Sequence, residues 1–300
     1  MTSINSFYRD PNAVAYATQL FSSAKAQASQ SSTAANSFDT NATDGGSTSS
    51  QRALARIIEI LSLGDSATAD QASVSESIGY ITGVSGTEGD DSLTFTGRAV
   101  YNVETGNGDD ALIAKSAAIV GVALGEGADS LKASGSLIAD IDGGADKDDI
   151  QLTGTLIMNV TGGAGDDSIK ASGQSLVGVD GGDGNDTMYL EGSRIFASGG
   201  KGNDTVTIHQ TGGQNAIAEY AFAAGDGQDT IATDGPLSIR LSGYNESDLT
   251  ITSANNSLTI QMNGSDDKMT VSLDGTDNTN AAALNYAVVT ENGHTVLKIS

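Results

Sequence analysis

The stretch Gly162-Gly163-Ala164-Gly165-Asp166-Asp167-Ser168-Ile169 is the unit from which the middle of this 300-residue chain is built. Glycines at its second and fourth positions, Gly163 and Gly165, allow the left-handed or otherwise Cβ-forbidden backbone of a tight loop that exposes its carbonyls. The sixth position, Asp167, offers a hard oxygen donor, and the eighth, Ile169, is the apolar residue that begins a strand. Variants of the unit recur eight times between Gly86 and Ala232, with sixth-position aspartates Asp91, Asp110, Asp129, Asp148, Asp167, Asp186, Asp204 and Asp229. Successive steps are 19, 19, 19, 19, 19, 18 and 25 residues. Chance does not give five equal steps, so one structural coil takes 19 residues.

Other columns repeat in step with the aspartates. Two residues after each come Leu93, Leu112, Leu131, Ile150, Ile169, Met188, Val206 and Ile231, and two further on Phe95, Ala114, Ala133, Leu152, Ala171, Leu190 and Ile208. A separation of two is the strand period that sends both side chains to one face, which must be the interior. A second turn follows, marked by Gly97, Ser116, Gly135, Gly154, Gly173 and Gly192, and then a second strand carrying Val100, Ile119, Ile138, Ile157, Leu176 and Ile195. Each coil therefore reads as strand, plain turn, strand, aspartate turn. About seven coils at about 4.8 Å each would make a rod on the order of 35 Å long.

Composition agrees with a repeat array. Glycine reaches 38 residues with only two prolines, aromatics are 5%, and tryptophan is absent, so the chain lacks the bulky residues of an ordinary globular core. Acids outnumber bases 38 to 14, a formal charge of −24. Such an excess repels nucleic acid and anionic membrane and destabilises a compact state unless cations neutralise it. No cysteine is present, and His209 and His294 have no ligand spacing, which argues against a zinc or other transition-metal centre. No stretch approaches the 18 or so apolar residues of a membrane span, and Met1 to Gln30 lacks the pattern of a cleaved signal.

The ends differ from the array. Residues 1–30 suggest a short helix from Pro11, with Val14, Tyr16, Ala17, Leu20 and Phe21 on one face, and 31–49 read as a Ser/Ala/Thr linker. Within 50–80, Leu54, Ile57, Ile58 and Leu61 stand at helical spacing, with Gly64 as a stop. This amphipathic helix is expected to cap the solenoid of 81–235, or else to recruit a partner. Residues 236–300 read as alternating strands: Leu237–Leu241, Leu249–Thr252, Leu258–Met262, Met269–Leu273, Tyr286–Thr290 and Thr295–Ile299. The last two are joined by the hairpin signal Glu291-Asn292-Gly293-His294. The fold class expected is mainly β, a parallel β-roll or β-helix solenoid of 19-residue coils with N-terminal helices and a β-rich C-terminal cap.

The chemistry of the turns points to calcium, which takes six to eight oxygens at about 2.3–2.6 Å from carboxylates and carbonyls. One turn has a single inward carboxylate, so each ion would lie between adjacent turns of the stack. Three turns carry the full pattern: Gly162, Gly165 and Asp167; Gly181, Gly184 and Asp186; Gly199, Gly202 and Asp204. Elsewhere Asp146 replaces the second loop glycine, and Thr105 and Leu124 replace the first, which predicts weaker sites or turns that hold only shape. An ordinary β-turn would also use Gly and Asp, but not eight times in register.

Residues 162–170, 181–189 and 199–207 resemble the haemolysin-type calcium-binding repeats of the RTX family of secreted bacterial proteins, a likeness that runs over 86–232. The resemblance implies a parallel β-roll with calcium in glycine-rich turns. It further implies export by a type I secretion apparatus that reads an uncleaved signal at the C-terminal end. The chain departs from that family in having one aspartate turn per coil, so that only one edge of the stack would bind calcium.

The function expected is that of a secreted calcium-binding repeat protein, extracellular or at the cell surface, that folds when it meets calcium. Its role would be structural or adhesive, with a surface or matrix component as partner. The alternative is a polysaccharide lyase or epimerase working in a solenoid groove. There is no His-Glu-x-x-His, no Gly-x-Ser-x-Gly and few outward aromatics, so no catalytic residue is assigned and the chain is read as not an enzyme.

Overall fold

The computed structural model describes residues 73–254, 256–273 and 284–300. The helices expected in 1–30 and 50–63 and the linker between them lie outside these residues. From Ser73 onward the chain is a parallel β-solenoid. Its first six coils are the long strands β1 (Ser73–Ser85), β2 (Ser92–Asn107), β3 (Ala111–Glu126), β4 (Ser130–Ala145), β5 (Asp149–Ala164) and β6 (Ser168–Asp183). Three more coils are split in two: β7 (Thr187–Gly192) with β8 (Arg194–Lys201), β9 (Thr205–Gln210) with β10 (Ile217–Ala223), and β11 (Gln228–Thr233) with β12 (Leu237–Ser242). The stack thus has nine coils, two more than the aspartate steps suggest, because β1 precedes Asp91 and the last aspartate, Asp229, opens a further coil, β11–β12.

Register follows the sequence period. Leu93 pairs with Leu112, Leu112 with Leu131, Leu131 with Ile150 and Ile150 with Ile169. Identical positions stack because shifting a strand by one residue would turn every core side chain outward. The interior is a continuous apolar column in which Leu93, Ile119, Ile138, Ile157, Leu176 and Ile195 are all at most 1% exposed.

Each coil has three corners rather than the two turns read from sequence. In β3 the inward positions are Leu112, Ala114 and Ser116, then Ile119, then Val122 and Leu124. Two residues instead of one separate Ser116 from Ile119 and Ile119 from Val122. Each such skip bends the chain, so the section is that of a β-helix and not a flat two-edged roll. The first bend is the column of Gly97 and Gly135, where the backbone is not left-handed. Glycine is needed there because a Cβ on Gly135 would overlap the carbonyl oxygen of Ser116 in the coil before. The second bend is left-handed: Gly83, Asn102, Gly121, Asp140, Asn159 and Gly178 have φ between 52° and 73°. Only Gly, Asn and Asp enter that region at low cost. Asn159 Nδ2 donates to Asp140 Oδ1 at 2.9 Å, so this corner also has a partial side-chain ladder.

Both irregular steps fall at these corners and not at the aspartate turn. In the 18-residue step Val177 pairs with Phe196 and Val179 with Ala197, so the residue lost is the counterpart of Gly178. In the 25-residue step residues 211–216 leave the stack as a loop with a short 3-10 turn, Gly213–Asn215. Ile217 then re-enters opposite Arg194.

The C-terminal end is closed by a change of strand direction. β13 (Leu249–Ala254), β14 (Ser257–Met262) and β15 (Lys268–Leu273) form an antiparallel meander whose last strand pairs in parallel with β11. β16 (Tyr286–Glu291) and β17 (His294–Ile299) form a hairpin, with Asn292 and Gly293 both at positive φ, and β17 runs antiparallel to β12. All six strands expected in this region are present. No helix among the described residues is long and apolar enough to cross a membrane.

Candidate metal-binding edge

The third corner carries the aspartates, and the fold brings all eight into one column. Asp110, Asp129, Asp148, Asp167, Asp186, Asp204 and Asp229 are 1–2% exposed and Asp91 is 7% exposed, an extreme burial for a carboxylate. Each coil's turn positions its aspartate through backbone that side chains resist. The fourth-position glycines Gly165, Gly184 and Gly202 have φ of 139°, 148° and 136°. Their amides donate to carbonyls of the next coil at 2.8 Å: Gly165 to Asp183, Gly184 to Lys201 and Gly202 to Asp226. Asp146, at the equivalent place one coil earlier, has φ 74° and so adopts the left-handed backbone that the sequence pattern demanded of it. The first-position glycines Gly162, Gly181 and Gly199 are buried beneath the turn, each facing the carboxylate of its own coil.

The two oxygens of each carboxylate have different surroundings. Oδ1 accepts the backbone N–H of the aspartate one coil earlier: Asp91 donates to Asp110 and Asp110 to Asp129 at 2.7 Å. Asp129 to Asp148, Asp148 to Asp167, Asp167 to Asp186 and Asp186 to Asp204 follow at 2.8 Å, and Asp204 to Asp229 at 3.2 Å. The column is therefore a zipper that couples neighbouring coils through charged acceptors, hydrogen bonds stronger than neutral ones. Oδ2 is different. In Asp110, Asp129, Asp148, Asp167, Asp186 and Asp204 it is buried and has no hydrogen-bond partner.

The two ends of the column close this gap with protein groups. Asp91 Oδ2 accepts from the Thr87 backbone N–H at 2.7 Å and the Thr87 hydroxyl at 3.0 Å. At the other end the Tyr220 hydroxyl donates to Asp229 Oδ2 at 2.6 Å and accepts from Gly199 N–H at 2.9 Å. Beyond Asp229 the column ends on Met269, while Asp267, two residues earlier, accepts from Gly225 N–H at 2.8 Å, Gly227 N–H at 3.2 Å and the Tyr244 hydroxyl. The unsatisfied oxygens are thus confined to the interior of the array. Tyr220→Phe should leave Asp229 Oδ2 and the Gly199 amide without their partner and cost about 1–3 kcal/mol. Urea unfolding checks this, and an unchanged midpoint would remove the phenol from any sealing role.

Burial disfavours the charged form, and it does so at Asp229 even though both of that carboxylate's oxygens are hydrogen-bonded. It pushes Asp148, Asp186 and Asp229 up to about 7 and Asp129 and Asp204 up to about 6, with Asp110 and Asp167 also raised. In Asp148 and Asp186 the neighbouring aspartates of the column add repulsion, while the zipper N–H holds the value down. Among the described residues no three carboxylate or imidazole groups gather in a cluster, because the aspartates arrive one per coil. A cation here would take one or two carboxylate oxygens and complete its shell from turn carbonyls. That donor set is all oxygen, which suits a hard ion with flexible geometry and not zinc or copper.

The non-matching turns are filled in other ways. Leu124 is fully buried at the first position, and the Thr105 hydroxyl donates to the Leu124 carbonyl. A second ladder stands outside the first at the fifth position of the turn. There Asp109 N–H donates to Asp90 Oδ1 at 2.9 Å, Asn185 N–H to Asp166 Oδ1 at 2.7 Å and Gln228 N–H to Asn203 Oδ1 at 3.0 Å. It runs in the opposite sense, each side chain accepting from the coil that follows. Sequence reading missed it and also missed Thr87 and Tyr220. For the outer ladder the signal was the recurrence of Asp and Asn just before the sixth-position aspartate.

A comparison with protein-family models finds no match and neither does one with curated proteins, so the column of half-satisfied aspartates is the ground on which a functional reading of this chain stands.

Proposed function

We propose that the solenoid is a calcium-binding stack of the haemolysin-repeat kind, secreted from the cell, with a structural or adhesive role at a surface or in a matrix. One observation carries the reading: six buried carboxylate oxygens, one per coil and in register, have no partner in the protein. A buried carboxylate without a partner costs several kcal/mol unless it is neutralised. The groups that would hold calcium are Oδ2 of Asp110, Asp129, Asp148, Asp167, Asp186 and Asp204 with carbonyls of the turns around Gly162 and Gly165, Gly181 and Gly184, and Gly199 and Gly202. Asp91 and Asp229, whose Oδ2 atoms are already bonded, would bound the array. The ion supplies a doubly charged hard centre that turns mutual repulsion along the column into attraction.

If the ion completes the fold, binding and closure are one equilibrium. Inside a cell, where calcium is scarce, the repeats would stay open for a type I exporter; outside they would close into the rod. Export and surface location rest on the resemblance of the repeats and on this coupling. The test is circular dichroism and thermal unfolding of the whole chain in chelator, in millimolar magnesium and in millimolar calcium. Calcium alone should raise the melting temperature by roughly 10 °C or more, about 3 kcal/mol or more for a chain of this size. Equal melting curves in all three buffers would sink the proposal.

A further inference from the structure

Between the glycine corner and the left-handed corner, the wall of the rod is apolar on both of its sides. β3 reads Ala118-Ile119-Val120 there, β4 Leu137-Ile138-Ala139 and β5 Leu156-Ile157-Met158. The middle residue of each triplet lies in the core; of the flanking ones, on the opposite side of the strand, Ala118 and Ala139 are 9% and 6% exposed and Val120, Leu137, Leu156 and Met158 are half-buried. A sheet with one face in water alternates apolar and polar residues, whereas continuous apolar runs mark a parallel sheet covered on both faces. Among the described residues no strand or helix packs over this outer face: Leu137 and Leu156 are half-buried, and Tyr80 and Ile217 near its two ends are 49% and 47% exposed.

The wall also carries no net charge. Its outward positions and both bordering corners carry Arg98, Arg194, Asp140 and Glu219, two of each sign, in a chain whose net charge is −24. Glu219 is itself paired with Arg240 at 3.0 Å. An apolar centre depleted of charge, with a polar rim of residues such as Ser136, Thr155 and Gln174, has the composition of a protein interface. Neutrality matters most for self-association, because two copies of a strongly acidic chain can approach only through a face that does not repel its own image.

We propose that this wall is where two copies of the chain pair, rod against rod, about a two-fold axis between the Leu137 and Leu156 coils. Eight coils at about 4.8 Å and four residues at about 3.3 Å give a face of roughly 500 Å², or roughly 1,000 Å² over both copies, the lower bound for a specific interface. An antiparallel arrangement brings the early coils of one copy against the late coils of the other. Phe196 of one copy then meets Tyr101 of the other, since both belong to the column that runs through Val120, Ala139, Met158 and Val177, and paired aromatics are residue types that anchor interfaces. This inference rests on the fold and not on the calcium reading.

Sedimentation equilibrium of the whole chain in calcium, from about 1 to 100 μM, tests it. The expected result is a particle of twice the 30.2 kDa chain mass. Leu156→Glu should weaken association at least 100-fold, and Lys132→Glu, on a different outward face, should leave it unchanged. Circular dichroism confirms that each variant remains folded, and Leu137→Lys serves if Leu156→Glu does not. A monomer at every concentration overturns the proposal, including one in which hydrogen exchange shows the wall protected by residues 50–63 of the same chain. A dimer indifferent to both wall substitutions overturns it as well.

Discussion

Gly165→Ala should destabilise the calcium-loaded rod by about 4 kcal/mol, measured by urea unfolding. The residue sits at φ 139°, a region open in practice only to glycine, which costs any other residue roughly 1–3 kcal/mol. A Cβ there would also stand 2.5 Å from the carbonyl carbon of Asp146 in the preceding coil and closer still to its oxygen. Backbone cannot retreat as a flexible side chain can, and coil spacing is set by hydrogen bonds on both sides of the turn, so overpacking adds roughly another 1–3 kcal/mol. Gly225→Ala is the matched control: φ is 96°, yet no atom lies within 4 Å of the added methyl. Backbone strain alone should then cost about 1–2 kcal/mol. Equal losses in the two variants would mean that close stacking of the turns contributes nothing, and the argument for a rigid aspartate edge would fail with it.

That clash explains why the periodic part of the sequence was so legible. Where neighbouring coils touch through backbone, glycine fits best, so Gly162 and Gly165 recur at the coil spacing and announce it, with Asp146, Thr105 and Leu124 as the exceptions. Leu112, Leu131, Ile150 and Ile169 recur for the same reason, since each stacks on the one before in a shared interior. The left-handed corner hid because three residue types satisfy it. Gly83, Asn102, Gly121, Asp140, Asn159 and Gly178 form a column only to a reader looking for tolerated backbone and not for chemical identity. Tyr220 hid for a different reason. It lies inside the 25-residue step, where the loop at 211–216 breaks the count, and its contact with Asp229 arises because β10 passes beneath the turn. The inward aspartates could be read from spacing, but which of their oxygens would be satisfied could not, since that depends on rotamer and on the neighbouring coil.

The division between the two carboxylate oxygens makes Asp148→Asn the most telling substitution, because its effect should change sign with calcium. An asparagine keeps an Oδ1 that can accept the Asp129 N–H, now made at 2.8 Å, so the zipper survives. What is lost is the buried charge, together with the repulsion from Asp129 and Asp167. Without calcium at pH 7.5 the variant should therefore melt higher than the wild type, by about 5 °C for about 2 kcal/mol. In calcium it should gain less than the wild type does, since one anionic ligand is gone. Acidity should mimic the substitution. Burial pushes Asp148 from the ordinary 3.8 up to about 7, so between those values the folded state holds a proton that the unfolded state releases. That contribution is complete below about 4 and is lost as pH rises through about 7. The calcium-free wild type should accordingly gain stability on going from pH 8 to pH 5, the reverse of ordinary acid denaturation, and Asp148→Asn should gain less. A calcium-free variant that melts below the wild type at pH 7.5 would show that the column is stabilised by its charge, and calcium would then have no deficit to fill.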